Sequence, residues 1–167
     1  KVSVPILPPE PDHPDRERMR QLGEKVHRRM AASKAAVPLP AEQAEVWAVR
    51  DVFTPAECAR LIAMIDAVAQ PSRTYSGAID ASLRTSWSGV LDPRDTLVRQ
   101  LQRRMDTLLG FERSHGEMLQ GQRYAPGQEF KPHTDRFPQA SPGWAIERDN
   151  GGQRAFTAMV YPNDVTD

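Results

Sequence analysis

The sequence has one cysteine, Cys58, in 167 residues, so no internal disulfide can staple the fold and packing must hold it. It has no run of 18 or more apolar residues, which excludes a membrane-spanning helix by hydropathy. It has no excess of either charge, with 22 Lys and Arg against 22 Asp and Glu. Without a net positive field, nucleic acid is not an expected partner. The first residues lack the charged-then-apolar pattern of a signal peptide, so the expectation is a cytoplasmic protein with no membrane partner. A hydrophobic share of 39% with mean hydropathy −0.59 is enough for one packed core, and the length fits one ordinary domain. What is abundant is proline, 15 residues, nearly twice the usual ~5%. That argues for many turns and against a pure helical bundle.

Five prolines stand within residues 1 to 14 and predict an extended lead-in. From Asp15 to about Ala36, Met19, Leu22, Val26 and Met30 recur at helical spacing over a basic opposite face, which predicts a first amphipathic helix. Val37-Pro38-Leu39-Pro40 should then break the chain. The expected division is an arm and basic helix at 1–40 and a main domain at 41–167. Glu45 to Phe53 reads as a strand. Thr54-Pro55-Ala56-Glu57 is a capping box with proline at the first helical position. Cys58, Leu61, Ile62, Ile65 and Val68 make the buried stripe of the helix that follows, which ends before Pro71. A third helix is expected from Asp92-Pro93-Arg94-Asp95, with Leu97, Val98, Leu101, Met105, Leu108 and Leu109 on its inner face and Gly110 as its stop. Then the period changes: Glu117–Tyr124, Gln128–Asp135 and Arg154–Tyr161 read as strands. Helices first and strands last is an α+β order.

His133-Thr134-Asp135 carries the chemistry. In a strand, residues i and i+2 share a face with side chains about 7 Å apart, so an imidazole and a carboxylate can converge on one small ion. Such a pair supplies two ligands of a facial triad, a set that suits Fe(II) oxygenases because it leaves positions open for a co-substrate and O2. The same triplet also reads as a surface histidine engaged in an ordinary hydrogen bond.

The stretch from Glu117 through Tyr124, Gly127, His133 and Asp135, followed by Gly151-Gly-Gln-Arg154, Thr157 and Tyr161-Pro-Asn163, with Arg84-Thr85-Ser86 upstream, resembles the catalytic region of prolyl 4-hydroxylase-type Fe(II)/2-oxoglutarate dioxygenases. The resemblance covers roughly residues 45 to 165. It implies a double-stranded β-helix, or jelly roll, backed by N-terminal helices. It implies Fe(II), 2-oxoglutarate and O2 as cofactors, with ascorbate as an optional reductant. His133 and Asp135 match two metal ligands, and Tyr124 matches a tyrosine that contacts 2-oxoglutarate. Arg84, Ser86, Glu117 and Arg154 match positions lining the substrate groove; the plainer reading of the charged ones is a salt bridge from Glu117 to Arg154 or Arg84. Trp144, in the long loop from Arg136 to Gln153, reads as a lid residue over substrate or as a loop anchor, and residues 71–82 as a second flap. Thr157 and Tyr161 read first as packing.

In the resembling family a second metal-binding His and a Lys or Arg for the far carboxylate of 2-oxoglutarate follow. The histidines of this sequence are His13, His27, His115 and His133, and none suits the third position, so the chain is expected to continue past Asp167, with completion by another chain as the alternative. The expected reaction decarboxylates 2-oxoglutarate to succinate and CO2 and hydroxylates a prolyl residue of a peptide or protein. A free amino acid or other small molecule is the alternative substrate. A non-catalytic jelly-roll peptide-binding module and an adaptor working through the basic helix are the alternatives in other classes.

Overall fold

The structure is a computed structural model that describes residues 16–42, 44–75, 77–141, 143–150 and 152–164. The proline-rich lead-in, with Asp15, lies outside them. The chain divides into two units, one of residues 1–50 with 108–110 and one of residues 51–107 with 111–167.

In the first unit, helix α1 spans Arg16–Ala32. Val26 and Met30 are buried, and Met19 and Leu22 are half-buried, so the three-and-four spacing marks the inward face as expected. The outer face is tied by local ion pairs, Arg20 bridging Glu17 and Glu24 one turn away on either side, the spacing at which helical side chains meet. The expected break at 37–40 is instead strand β1, Ala36–Leu39, antiparallel to β2, Val46–Val49. Pro38, paired with Trp47, is tolerated because the sheet has only two strands and both are edges, where a missing N–H need not break a ladder.

In the second unit, helix α2 runs Pro55–Val68. Its capping box forms as expected: the Thr54 hydroxyl accepts from the Glu57 amide at 3.3 Å, and the Glu57 carboxylate accepts from the Thr54 amide at 2.8 Å. Strands β3 (Gln70–Pro71), β4 (Trp87–Val90) and β5 (Gln120–Arg123) make an antiparallel sheet in that order. Helix α3 spans Thr96–Leu109, starting later than the Asp-Pro signal indicates. The Asp92 carboxylate is occupied by the amide and guanidinium of Arg94, whereas Asp95 accepts from the amides of Leu97 and Val98 and so does the capping. Gly110 ends α3 at φ 76, a left-handed conformation that costs glycine least.

The core of this unit is Leu61, Leu91, Leu97, Val98 and Leu101, flanked by Phe53, Met64, Ile65, Met105 and Leu119. Helix α2 lies directly on the sheet at a cross-strand glycine pair, Gly89 and Gly121. A Cβ on Gly89 would stand 2.5 Å from the Val68 carbonyl oxygen, and one on Gly121 would meet Ile65 Cγ1. Both contacts are far inside van der Waals range, so the absent side chains set the height of the helix above the sheet.

The two later strands expected from periodicity do not form regular ladders. Residues 128–135 contribute one isolated bridge, Phe130 to Arg84, because Pro132 has no N–H to donate further along. Residues 154–161 run without a ladder partner among the described residues. Within the loop from 136 to 153 a short helix appears that the sequence did not announce, α4, Trp144–Asp149. The architecture is α+β with small antiparallel sheets.

Candidate active site

The His-x-Asp triplet is not on a strand, yet its side chains converge: His133 Nε2 lies 3.4 Å from Asp135 Oδ1. A bend at Pro132 turns the imidazole back, so that Nδ1 lies 2.7 Å from the Lys131 carbonyl oxygen. A carbonyl only accepts, so Nδ1 is the donor and carries a proton. In the neutral ring that leaves the Nε2 lone pair facing the carboxylate. Two lone-pair atoms at that distance repel unless a proton or cation lies between them. The ring is also stacked on Phe130, with centroids 3.5 Å apart and planes 19° apart.

Asp135 is held from its other side. Thr157 Oγ1 donates to Asp135 Oδ2 at 2.8 Å, and Arg154 Nη1 donates to the Asp135 carbonyl oxygen at 3.2 Å. The rest of the Arg154 fork is bidentate to Glu117, at 2.5 and 2.7 Å, and that carboxylate keeps the guanidinium ionised by pushing its pKa further up. Its carbon lies 4.4 Å above the buried Phe137 ring. Phe137 is fixed in turn by Gln153, whose side-chain amide exchanges two hydrogen bonds with the Phe137 backbone, and by the Tyr75 ring at 5.6 Å. The two segments expected to be flaps therefore touch, Tyr75 from one and Phe137 from the other.

Arg84 is buried, at 8% exposure. Its Nε donates to Ser86 Oγ at 2.8 Å, and Ser86 joins Ser72, which also reaches Ser88. The Arg84 guanidinium lies 4.5 Å from the centroid of Phe130, and its Nη2 is buried without a hydrogen-bond partner among the described residues.

Six of the sequence-predicted residues thus fall on one line of contacts, running Ser86, Arg84, Phe130, His133, Asp135, Arg154, Glu117. Tyr124 and Trp144 stand off it. The Tyr124 hydroxyl donates to Gln122 at 3.1 Å, and Trp144 opens α4; neither bonds to another site residue among the described residues. Thr157, assigned first to packing, instead holds a carboxylate oxygen, while Tyr161 is 72% exposed and so does not pack. Phe130 and Phe137 carried no signal beyond being aromatic residues near the triplet.

The donor pair fits a small divalent ion. Ligands about 2.1 Å from such an ion sit about 3 Å apart at adjacent octahedral positions, close to the observed Nε2 to Oδ1 distance. Both ligands also have a second group fixing them, as metal-binding imidazoles and carboxylates require. Among the described residues no third His, Cys, Asp or Glu joins the pair.

The likeness to known proteins is, at a coarse level, to the prolyl 4-hydroxylases as a class. Three from Arabidopsis thaliana are a probable prolyl 4-hydroxylase 10, 34% identical over 87 residues or 52% of this chain, a prolyl 4-hydroxylase 5, 33% over 125 residues or 69%, and a probable prolyl 4-hydroxylase 3, 30% over 118 residues or 65%. The chain spans 28%, 40% and 38% of those proteins' own lengths. No protein-family model matches the chain. Among the described residues no helix is long and apolar enough to cross a membrane.

Proposed function

We propose that the protein is an Fe(II)- and 2-oxoglutarate-dependent dioxygenase that hydroxylates a prolyl residue of a peptide or protein, with release of succinate and CO2. The observation that carries the reading is the His133 and Asp135 pair, each side chain fixed by separate partners so that one donor atom of each is left to face the other. The likeness to prolyl 4-hydroxylases supports it.

In this reading His133 and Asp135 hold the iron, which when bound supplies O2 activation. Tyr124 contacts 2-oxoglutarate. Arg84, Ser86, Glu117 and Arg154 line the peptide groove, and Trp144 borders it; the Glu117 and Arg154 pair then serves both as a structural tie and as a wall of the groove. The fold that goes with this reading is the jelly roll of that class, backed by helices. The domain at 41–167 is the catalytic part and residues 1–40 an appended arm.

The test incubates the full-length protein with Fe(II), 2-oxoglutarate, O2 and a proline-rich peptide, and measures succinate together with the mass of the peptide. The expected result is succinate formation coupled to gain of one oxygen atom on a prolyl residue, abolished by His133→Ala. Succinate formation that no peptide stimulates would move the substrate to a small molecule. No turnover with any substrate would leave a peptide-binding module.

A further inference from the structure

Phe130 lies between two residues with assigned roles and has none itself. Its backbone bridges Arg84, and the next residue donates to the Leu83 carbonyl at 3.0 Å, so the aromatic ring is anchored to the segment that precedes β4. One face of the ring meets the Arg84 guanidinium, with its carbon 4.5 Å from the centroid. The other ring contact is the His133 imidazole, nearly parallel at 3.5 Å. Arg84 is itself pinned by Ser86. The stack therefore runs from a buried, hydrogen-bonded cation through an anchored phenyl ring to an imidazole that is 35% exposed.

An imidazole that open to solvent would sample several rotamers and lose affinity each time it ordered around an ion. Two contacts prevent this here. The Lys131 carbonyl fixes which nitrogen carries the proton, and Phe130 fixes the plane of the ring. We infer that Phe130 is a positioning residue, holding the His133 ring in the orientation in which Nε2 faces Asp135. The inference rests on the metal-binding reading of that pair.

The test uses the full-length protein with Phe130→Leu, which removes the ring but keeps apolar bulk, and Phe130→Tyr, which keeps the ring. Two quantities are read: the NMR shift of the His133 ring protons, assigned by its loss in His133→Ala, and the affinity for Mn(II) by calorimetry. In the wild type the stacked ring should shift the His133 protons upfield. Phe130→Leu should abolish that shift and weaken Mn(II) by about tenfold, the usual scale for groups that orient a ligand, and Phe130→Tyr should restore both. A Phe130→Leu protein that keeps the wild-type shift and affinity overturns the inference. A Mn(II) affinity that His133→Ala does not change overturns the metal reading instead, while the His133 shift still decides whether the stack orients the ring.

Discussion

Helix α2 approaches the sheet closely at the Gly89 and Gly121 pair, and adding one methyl at each position meets different sets of atoms. At Gly89 the new Cβ would meet the Val68 carbonyl oxygen at 2.5 Å, its side-chain Cγ2 at 2.7 Å and its carbonyl carbon at 2.9 Å. The two carbonyl atoms belong to the backbone at the end of α2 and cannot rotate away, whereas Cγ2 can yield. At Gly121 the three nearest atoms to the new Cβ all belong to the Ile65 side chain, with Cβ and Cδ1 both at 3.2 Å beyond the nearest Cγ1 contact. Ile65 is β-branched and on a helix, so one rotamer dominates and relief is partial. Overpacking of this kind costs about 1–3 kcal/mol. Gly89→Ala should fall at the upper end and Gly121→Ala at the lower, so that Gly89→Ala lowers Tm by several degrees, at about 2–4 °C per kcal/mol for a chain of this size.

Double mutants then test the assignment by urea unfolding. Truncating Ile65 to Ala removes Cγ1, the atom that Gly121→Ala strikes hardest, together with Cδ1, so that pair should couple by about 1 kcal/mol or more. Truncating Val68 to Ala removes the Cγ2 contact but leaves the carbonyl in place, so the Gly89 and Val68 pair should couple only in part. Full rescue of Gly89→Ala by Val68→Ala would refute the reasoning, because it would mean that the side chain and not the helix backbone limits the approach.

The other predictions concern the cap and the site. Arg104, with the Thr54 amide, lowers the Glu57 carboxyl from 4.5 to about 2; a depressed folded value gives stability that is fully present above pH 4.5 and lost as the pH falls to about 2. Glu57→Gln should therefore unfold more readily than wild type at neutral pH, with the difference closing across that acid window in a pH series of thermal melts. Thr157→Val removes the donor to Asp135 Oδ2 and should weaken Mn(II) by about tenfold, with Thr157→Ser close to wild type by calorimetry. Arg154→Lys cannot reproduce the fork that holds Glu117 and the Asp135 carbonyl together; after allowance for solvent screening it should cost about 1 kcal/mol in urea unfolding.

Helices were the most legible part of the fold, and the reason is local. The capping box at Thr54 and the stripes on α1 and α3 are set by residues within one or two turns of each other, so the pattern contains its own partners. The strands were less so, because a strand needs a neighbour that periodicity does not name. Residues 37–40 read as a break until β2 supplied a partner for Ala36–Leu39, and residues 154–161 read as a strand but have no ladder partner among the described residues.

The site divides along the same line. The residue types at 133 and 135 were readable, and with them the expectation of two converging ligands, but the expected route was wrong. Strand geometry would place the two side chains about 7 Å apart along one face, whereas the observed donors are 3.4 Å apart because Pro132 ends the extended run and the Lys131 carbonyl draws the imidazole back. What fixes that geometry comes from far along the chain: Arg84 reaches it through Phe130, Thr157 holds the carboxylate, and Arg154 binds the Asp135 backbone while gripping Glu117. None of these pairings follows from spacing, since the partners stand 19 to 46 positions apart in the sequence and meet only in three dimensions. The orientation of the metal pair is a property of those tertiary contacts, so substitutions at Phe130 and Thr157 should disturb it while leaving the triplet itself intact.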